Sequence, residues 1–441
     1  MRHLALLAPR AGPLSALAAL LLWLHATDVA WCEVTEEGGR FASLAIPVYR
    51  RLLFGGVFNF LAMQISVIAR AWLAFDLTGT NTALGGVLIG FGLASIIMIP
   101  TGGVLADRFP KRTVLLVTAT MQTLISLVLA VAVTTDVVAY WMLVVASILQ
   151  GAIISLLGPA RLAFIAEAVD RERLTNAIFL SQSSFQLTRV LGPAAAGALI
   201  GVQTIGVAGV YYISAGCGVA GFILTIGLPP GRPVRKSARS PWADLIDGAR
   251  FVRSNPHILH LLVLSYLVVL IGFPHVAFLP VFSEEIFGVG SAGFGALTTA
   301  AALGALAASL MLADIDRAKV WRYEAAAAVL FGVTLVLLAV APTFAMALVV
   351  MVTVGATSAA FQALNNSLVL THTPVEYHGR MQSLLMLSFS GFGLAALPLG
   401  MLADAVGLRE TVTGMGLAVL AVSLASIAIR RRQPAPPAAT L

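Results

Sequence analysis

The sequence predicts an all-α integral membrane protein of twelve transmembrane helices, arranged as two pseudo-symmetric halves of six. Three observations predict it: a deficit of charge, a series of apolar runs long enough to cross a bilayer, and basic residues confined to alternate connections. Of 441 residues, 59% are hydrophobic and 11% charged, against about 25% charged in an ordinary soluble domain. So few charges cannot cover a globular surface, and lipid requires no such cover. The two cysteines, Cys32 and Cys217, lie far apart and build neither a disulfide framework nor a metal motif.

The first 45 residues stand apart. Residues 14–24 form a short apolar run behind Arg2 and Arg10, like the apolar stretch of a signal peptide. Cleavage there would put Arg50 and Arg51 outside, against the charge rule below. Residues 1–45 are expected to be a non-native or disordered extension from an early start codon; a thirteenth span is the alternative.

Crossing the hydrocarbon takes about 20 apolar residues. Such runs fall at 51–75, 83–106, 114–134, 138–164, 175–201 and 206–228, and again at 258–283, 291–313, 324–341, 344–370, 380–405 and 410–429. Six belong to an N-terminal half, 46–228, and six to a C-terminal half, 258–430. Between them lies a polar linker, 229–257, and after them a tail, 431–441. With the start of the first span inside, the inner connections hold nearly all the basic residues, and the outer ones hold Arg409 alone. This is the positive-inside pattern. It predicts a multi-pass protein of the cytoplasmic membrane with both ends of the body cytoplasmic. It also assigns the net charge of +7 to the lipid surface rather than to nucleic acid. In the linker, Ser240-Pro241-Trp242 opens a loosely amphipathic helix to about Arg253, expected to lie at the interface and bridge the halves.

Short matches recur at nearly one offset. Val104-Leu105-Ala106-Asp107 closes span two and Met311-Leu312-Ala313-Asp314 closes span eight; Asp170 and Glu376 precede spans five and eleven in the same register. Two homologous halves in parallel follow. Met401-Leu402-Ala403-Asp404 repeats the tetrapeptide near the outer end of span eleven, which hints at inverted repeats nested within a half. That is a transporter architecture, with its site between the halves.

The loop after span two reads Gly103-Val-Leu-Ala-Asp107-Arg108-Phe-Pro110-Lys111-Arg112. It resembles the signature of the major facilitator superfamily, with Pro110 in place of a glycine. The resemblance implies a cytoplasmic gate of Gly103, Asp107, Arg108, Lys111 and Arg112 that locks the halves in the outward-facing state. Span five carries Arg189-Val-Leu-Gly192-Pro193-Ala-Ala-Ala-Gly197. Its Gly192, Pro193 and Gly197 resemble, in part, the Gly-Pro motif of exporters in the superfamily. With the stretches around Leu77-Thr78-Gly79-Thr80, 161–176 and 374–380, the chain over about 50–430 resembles the drug and siderophore exporter branch that holds the enterobactin exporter and the macrolide efflux proteins. The resemblance implies a monomeric secondary transporter, an antiporter of the multidrug-resistance kind. It would export an amphipathic small molecule by alternating access, driven by an ion gradient with the proton as the expected ion.

Charge in a membrane is costly and normally faces protein or water. Arg189, mid-span in helix five, has no evident acidic partner, so an acidic substrate group or a carbonyl is expected to solvate it. Arg70 lies nearer the outer end of helix one and could reach Asp76. Other candidate cavity residues are Asn59, Gln64, Gln150, Tyr266, His275, Gln362, Asn365 and Asn366, all polar groups on spans one, four, seven and ten. No mid-span carboxylate is evident for proton coupling. No phosphate-binding Gly-rich loop and no His-Glu-x-x-His motif occurs, so neither a cofactor, a metal nor an enzymatic activity is expected. Uptake by the same fold, or a non-transporting receptor or scaffold, are the alternatives.

Overall fold

The computed structural model describes residues 42–231, 241–312, 315 and 319–432, with side chains at all of these except 99–108, 241–245, 375, 389, 431 and 432. The expected extension up to residue 41, linker residues 232–240, Asp314 and the tail from 433 lie outside the described residues. Among those described, every regular element is a helix. The N-terminal half comprises α1 (Pro47–Thr78), α2 (Asn81–Arg108), α3 (Lys111–Thr134), α4 (Tyr140–Ala168), α5 (Arg171–Ile200) and α6 (Gly206–Ile226). The linker helix is α7 (Pro241–Ser254). The C-terminal half comprises α8 (Pro256–Gly272), α9 (Gly290–Met311), α10 (Val320–Ala339), α11 (Phe344–Thr371), α12 (His378–Val406) and α13 (Leu408–Arg432).

Eleven described helices are long and apolar enough to cross a membrane. The twelfth spanning position is α5, which has the length but carries a polar stripe of Gln182, Gln186 and Arg189. It packs between α1 and α9 and belongs to the same bundle. Apolarity alone undercounts here because one face of α5 turns away from lipid. The seventh span is discontinuous. After α8 it runs through a 3-10 segment (Phe273–Phe278), one α turn (Leu279–Val281) and a π turn (Phe282–Ile286). Pro274 and Pro280 each lack the N–H that a regular helix would use. The tight turn from α1 into α2 rests on Gly79, whose φ of 63° lets its N–H reach the Phe75 carbonyl at 2.7 Å. Between α2 and α3 the chain turns through Pro110 at φ −54°, so this turn needs no glycine.

The halves meet along two seams, α2 against α12 and α5 against α9. The internal repeat relates these pairs, since α2 corresponds to α9 and α5 to α12. Both seams are backbone against backbone. A methyl group added to Gly85 would sit 2.3 Å from the Ala396 carbonyl oxygen, and one added to Gly197 would sit 2.4 Å from the Gly295 Cα. Small residues permit such approach where no apolar solvent effect drives helices together.

The connections define an arginine-rich end and an arginine-poor end. The buried apolar core is continuous across both halves at the arginine-poor end, where Phe75, Leu84 and Ile200 join Phe282, Phe294 and Val412. Toward the arginine-rich end the described core divides. One cluster, with Tyr49, Leu115 and Phe164, belongs to the N-terminal half. Another, with Leu261, Leu368 and Met381, belongs to the C-terminal half. Outward, Leu124, Val128, Phe179, Leu191, Leu303, Leu310 and Leu417 are exposed, an apolar belt suited to lipid.

The linker helix touches α2 of one half and α8 and α12 of the other. Asp247 pairs with Arg380 at 2.6 Å, Phe251 stacks on Tyr377 with ring centroids 4.2 Å apart, and Val252 is buried in the C-terminal cluster. Of its described apolar residues, Phe251 and Val252 are taken up by protein, and Ile246 is left exposed.

Candidate functional site

At the arginine-poor end a single carboxylate joins the halves. Asp404, near the end of α12, accepts four hydrogen bonds from the first two residues of α2. The backbone N–H and side-chain amide of Asn81 reach Oδ1 at 2.8 and 2.9 Å; the backbone N–H and hydroxyl of Thr82 reach Oδ2 at 2.9 and 2.5 Å. A carboxylate at a helix N-terminus satisfies orphan donors and the positive end of the dipole. Trp72 of α1 stacks on Phe294 of α9 on the same level, with centroids 6.4 Å apart.

Of the expected gate, Gly103, Asp107 and Arg108 close α2, and their side chains lie outside the description. Lys111 is buried and pairs with Glu167 at the end of α4. That contact lies within the N-terminal half, so Lys111 does not bridge the halves here. Arg112 donates its backbone N–H to the Pro230 carbonyl at 3.3 Å, and its Nε is buried without a partner.

The motif glycines of α5 act in packing. Gly192 lies against Gln64 of α1, where an added methyl would meet the Gln64 Cβ at 2.7 Å; Gly197 lies against Gly295 of α9; Pro193 is buried and α5 runs through it unbroken. These two glycines give the directions of α1 and α9 around α5. At about 100° per residue, Arg189 falls about 60° from Gly192 toward Gly197, between them. The exposed apolar residues Leu187 and Leu191 lie on the opposite side. Arg189 is nonetheless exposed, with only a 3.5 Å contact to Gln186 of its own helix. Its helix phase therefore turns it toward the interior between the halves.

Most other candidates turn elsewhere. Asn59 packs on Gly221 of α6. Gln150 is buried inside the N-terminal half, where it accepts a 2.5 Å bond from Arg70 and donates at 3.4 Å to Gln122. Arg70 thus does not reach Asp76. Tyr266 donates to the Leu384 carbonyl of α12 at 2.9 Å. His275 is buried against Phe331, its Nδ1 2.7 Å from the Gly272 oxygen of its own span. Gln362 and Asn366 are half-buried on α11, and the Asn366 Oδ1 has no partner.

Two charged residues were missed as site groups. Glu324, on the first turns of α10, is 2% exposed, and Asn365 approaches its Oε1 at 3.5 Å while donating at 3.2 Å to the Leu261 carbonyl. It lines a cleft of about 690 Å³ with His260, Trp321 and Arg430, the last stacked 3.5 Å over the indole. Arg161 of α4 is 6% exposed and lies 3.7 Å over the Phe185 ring of α5. Gly56 of α1 makes its seat, since a methyl there would fall 2.9 Å from Nε. The Nε and Nη2 of Arg161 are buried without partners.

The twelve-helix arrangement is shared with known proteins. Residues 52–393 match the family described as the Major Facilitator Superfamily. This chain belongs to the Major Facilitator Superfamily. Among curated superfamily relatives, the chain is 23% identical over 381 residues to the staphyloferrin A transporter of Staphylococcus aureus (strain NCTC 8325 / PS 47), covering 85% of this chain and 94% of that one. It is 26% identical over 219 residues to the uncharacterized MFS-type transporter YfiS of Bacillus subtilis (strain 168), covering 46% and 51%. Among solved structures, the superfamily fold recurs in a bacterial homolog of the human lysosomal transporter Spinster, inward-facing and unoccupied. The TM-score is 0.70 at 14% identity, over 91% of this chain and 100% of that one. It recurs too in the nucleoside transporter NupG, with a TM-score of 0.66 at 15% identity, over 88% and 100%. This superfamily member is a multi-pass membrane protein of a transporter family, and a small molecule is its implied substrate.

Proposed function

We propose that this protein is a secondary transporter that exports an amphipathic small molecule by alternating access, with the arginine-rich end in the cytoplasm. The observation that carries the reading is the divided core. One apolar core closes the halves at the arginine-poor end, Asp404 latches them there, and toward the other end the described core separates into two. A pair of rigid halves closed at one end is half of an alternating-access cycle. In the opposite state, Asp107 and its basic neighbours would take over as the latch, Asp107 meeting the N-terminal turn of α12 as Asp404 meets that of α2. Buried Glu324 is the carboxyl best suited to exchange the coupling proton, because it carries no ion pair within 4.0 Å among the described residues and lines an open cleft that also holds His260 and Arg430. The likeness to a staphyloferrin A transporter supports a small-molecule substrate but gives no direction. A compound screen in an efflux-deficient host, with and without a protonophore, tests the reading. Lower intracellular accumulation of at least one compound, reversed by the protonophore, is expected; higher accumulation would make the protein an importer.

A further inference from the structure

We propose that Arg161 and Arg189 form a two-point anion site in the N-terminal half, so that the molecule moved carries at least two acidic groups beside an apolar body. This rests on the transport reading above and names its substrate class. Arg161 reaches from α4 onto the face of Phe185. Arg189 sits four residues further along α5, one turn or about 6 Å of helix. Phe185 and Arg189 fall on neighbouring directions of α5, about 20° and 60° from Gly192, both away from the lipid-facing Leu187 and Leu191.

Neither guanidinium has a carboxylate within 4.0 Å among the described residues. Two nitrogens of Arg161 have no acceptor although buried, and Arg189 has one long contact to a neutral amide. Unpaired arginine at membrane depth is strongly unfavourable, and a guanidinium fork is shaped to take a carboxylate or phosphate with two parallel bonds. One acid fills one fork; two forks a turn apart call for two. The wall beside them is aromatic, since Phe60 packs on Phe185 with centroids 4.5 Å apart. An acid group on Arg161 thus has an apolar surface next to it for the rest of the molecule.

The seat of Arg161 is built by absence of a side chain. Gly56 leaves the room that Nε occupies. Gly56→Ala would force the guanidinium to shift on Phe185 without removing its charge.

The test uses the purified full chain in detergent, with the thermal unfolding midpoint read against phenylsuccinate, its neutral dimethyl ester and the mono-acid phenylbutyrate. Phenylsuccinate should raise the midpoint, with an apparent affinity at least tenfold better than phenylbutyrate and no response to the ester. Arg161→Gln, Arg189→Gln and Gly56→Ala should each weaken the diacid response about tenfold or more, and Arg189→Lys should retain part of it. Where Arg161→Gln does not fold, Gly56→Ala and Arg189→Gln carry the comparison. A mono-acid as good as the diacid, a diacid response that survives these substitutions, or no response to any acid would overturn the proposal. Flux in proteoliposomes separates this from the transport reading. Diacid binding without gradient-driven flux defeats transport and leaves the site. Flux of a neutral compound, unaltered by Arg161→Gln or Gly56→Ala, defeats the site and leaves transport.

Discussion

Asp404 caps the N-terminus of α2 through Thr82, whose backbone N–H and hydroxyl both converge on Oδ2 at 2.9 and 2.5 Å. With the matching pair from Asn81, one exposed carboxylate holds two halves that otherwise touch at this level through apolar and backbone surfaces. Charge-assisted bonds of this kind are worth more than neutral ones, less when exposed to water. Asp404→Asn should therefore shift the population toward opening at the arginine-poor end by roughly three- to tenfold. Labelling of an Ala396→Cys thiol, buried in the α2–α12 seam, by an impermeant maleimide applied at that end reports the shift. An unchanged rate would remove Asp404 from the gate.

Asp107→Asn should act with the opposite sign. It weakens the proposed latch of the other state and so should leave the arginine-poor end closed more of the time. The same thiol should label more slowly than in the parent, transport should fall, and the amount inserted in the membrane should be unchanged. Normal transport by an inserted Asp107→Asn variant would leave the charges at this loop with a topological role alone.

The glycines divide by what they touch. Gly197 faces Gly295 across the halves, whereas Gly304 of α9 faces the Val352 carbonyl of α11 within one half, where an added methyl would lie 1.8 Å away. Gly304→Val should lower the thermal unfolding midpoint and the yield, since overpacking a closed contact costs about 1–3 kcal/mol or more. Gly197→Val should spare yield and instead open the α5–α9 seam, with transport lost. If both variants simply misfold, the seam is as rigid as the half.

Glu324→Gln keeps the shape of the side chain and its approach to Asn365 while removing the exchangeable proton. Gradient-driven flux should disappear, whereas downhill equilibration of substrate in proteoliposomes should persist. Retained protonophore-sensitive accumulation would show that the coupling group lies elsewhere.

In the N-terminal half, Arg70 is 3% exposed and held by Gln150, which bonds Gln122 in turn; a second buried chain joins Ser126, Ser214 and the Ala62 carbonyl. Gln150→Leu removes a bond to a buried cation and should cost about 2 kcal/mol, against about 1 kcal/mol for Gln122→Leu. Thermal unfolding of the two variants in detergent gives the order; the reverse order would mean that Arg70 finds another acceptor.

The fold was legible because its cause is the bilayer. Span length and the charge on alternate connections report the solvent around the helix rather than its neighbours, and the repeated Ala-Asp endings report the internal repeat. Facing direction was harder. Polarity marked Arg189, but its direction comes from the helix phase set by Gly192 and Gly197. The same reasoning picked Asn59, Gln150 and His275, whose partners are other helices or their own backbone. Polar type says that a side chain needs company and not which neighbour supplies it. Glu324 is hidden in the sequence because an apolar run begins at that residue, which gives it the look of a loop end. Arg161 opens the 161–176 stretch at the end of an apolar run, and its place on a helix follows only from α4 continuing to Ala168. The Asp404 tetrapeptide was visible as a repeat, but half of its partners are backbone N–H groups, which leave no sequence trace.

The glycine seams have a mechanical consequence. Along α2–α12 and α5–α9 the contact at the glycines is backbone on backbone. Parting the halves at these points surrenders short-range dispersion, and at the glycines themselves no side-chain knob has to be withdrawn from a hole. The seams therefore behave as smooth bearings, on which two stiff bodies can tilt with little friction. Resistance to tilting is left to a few polar catches at the rims. A transporter built this way keeps its turnover rate in its catches, where a single substitution can tune it, and not in the bulk of its interface.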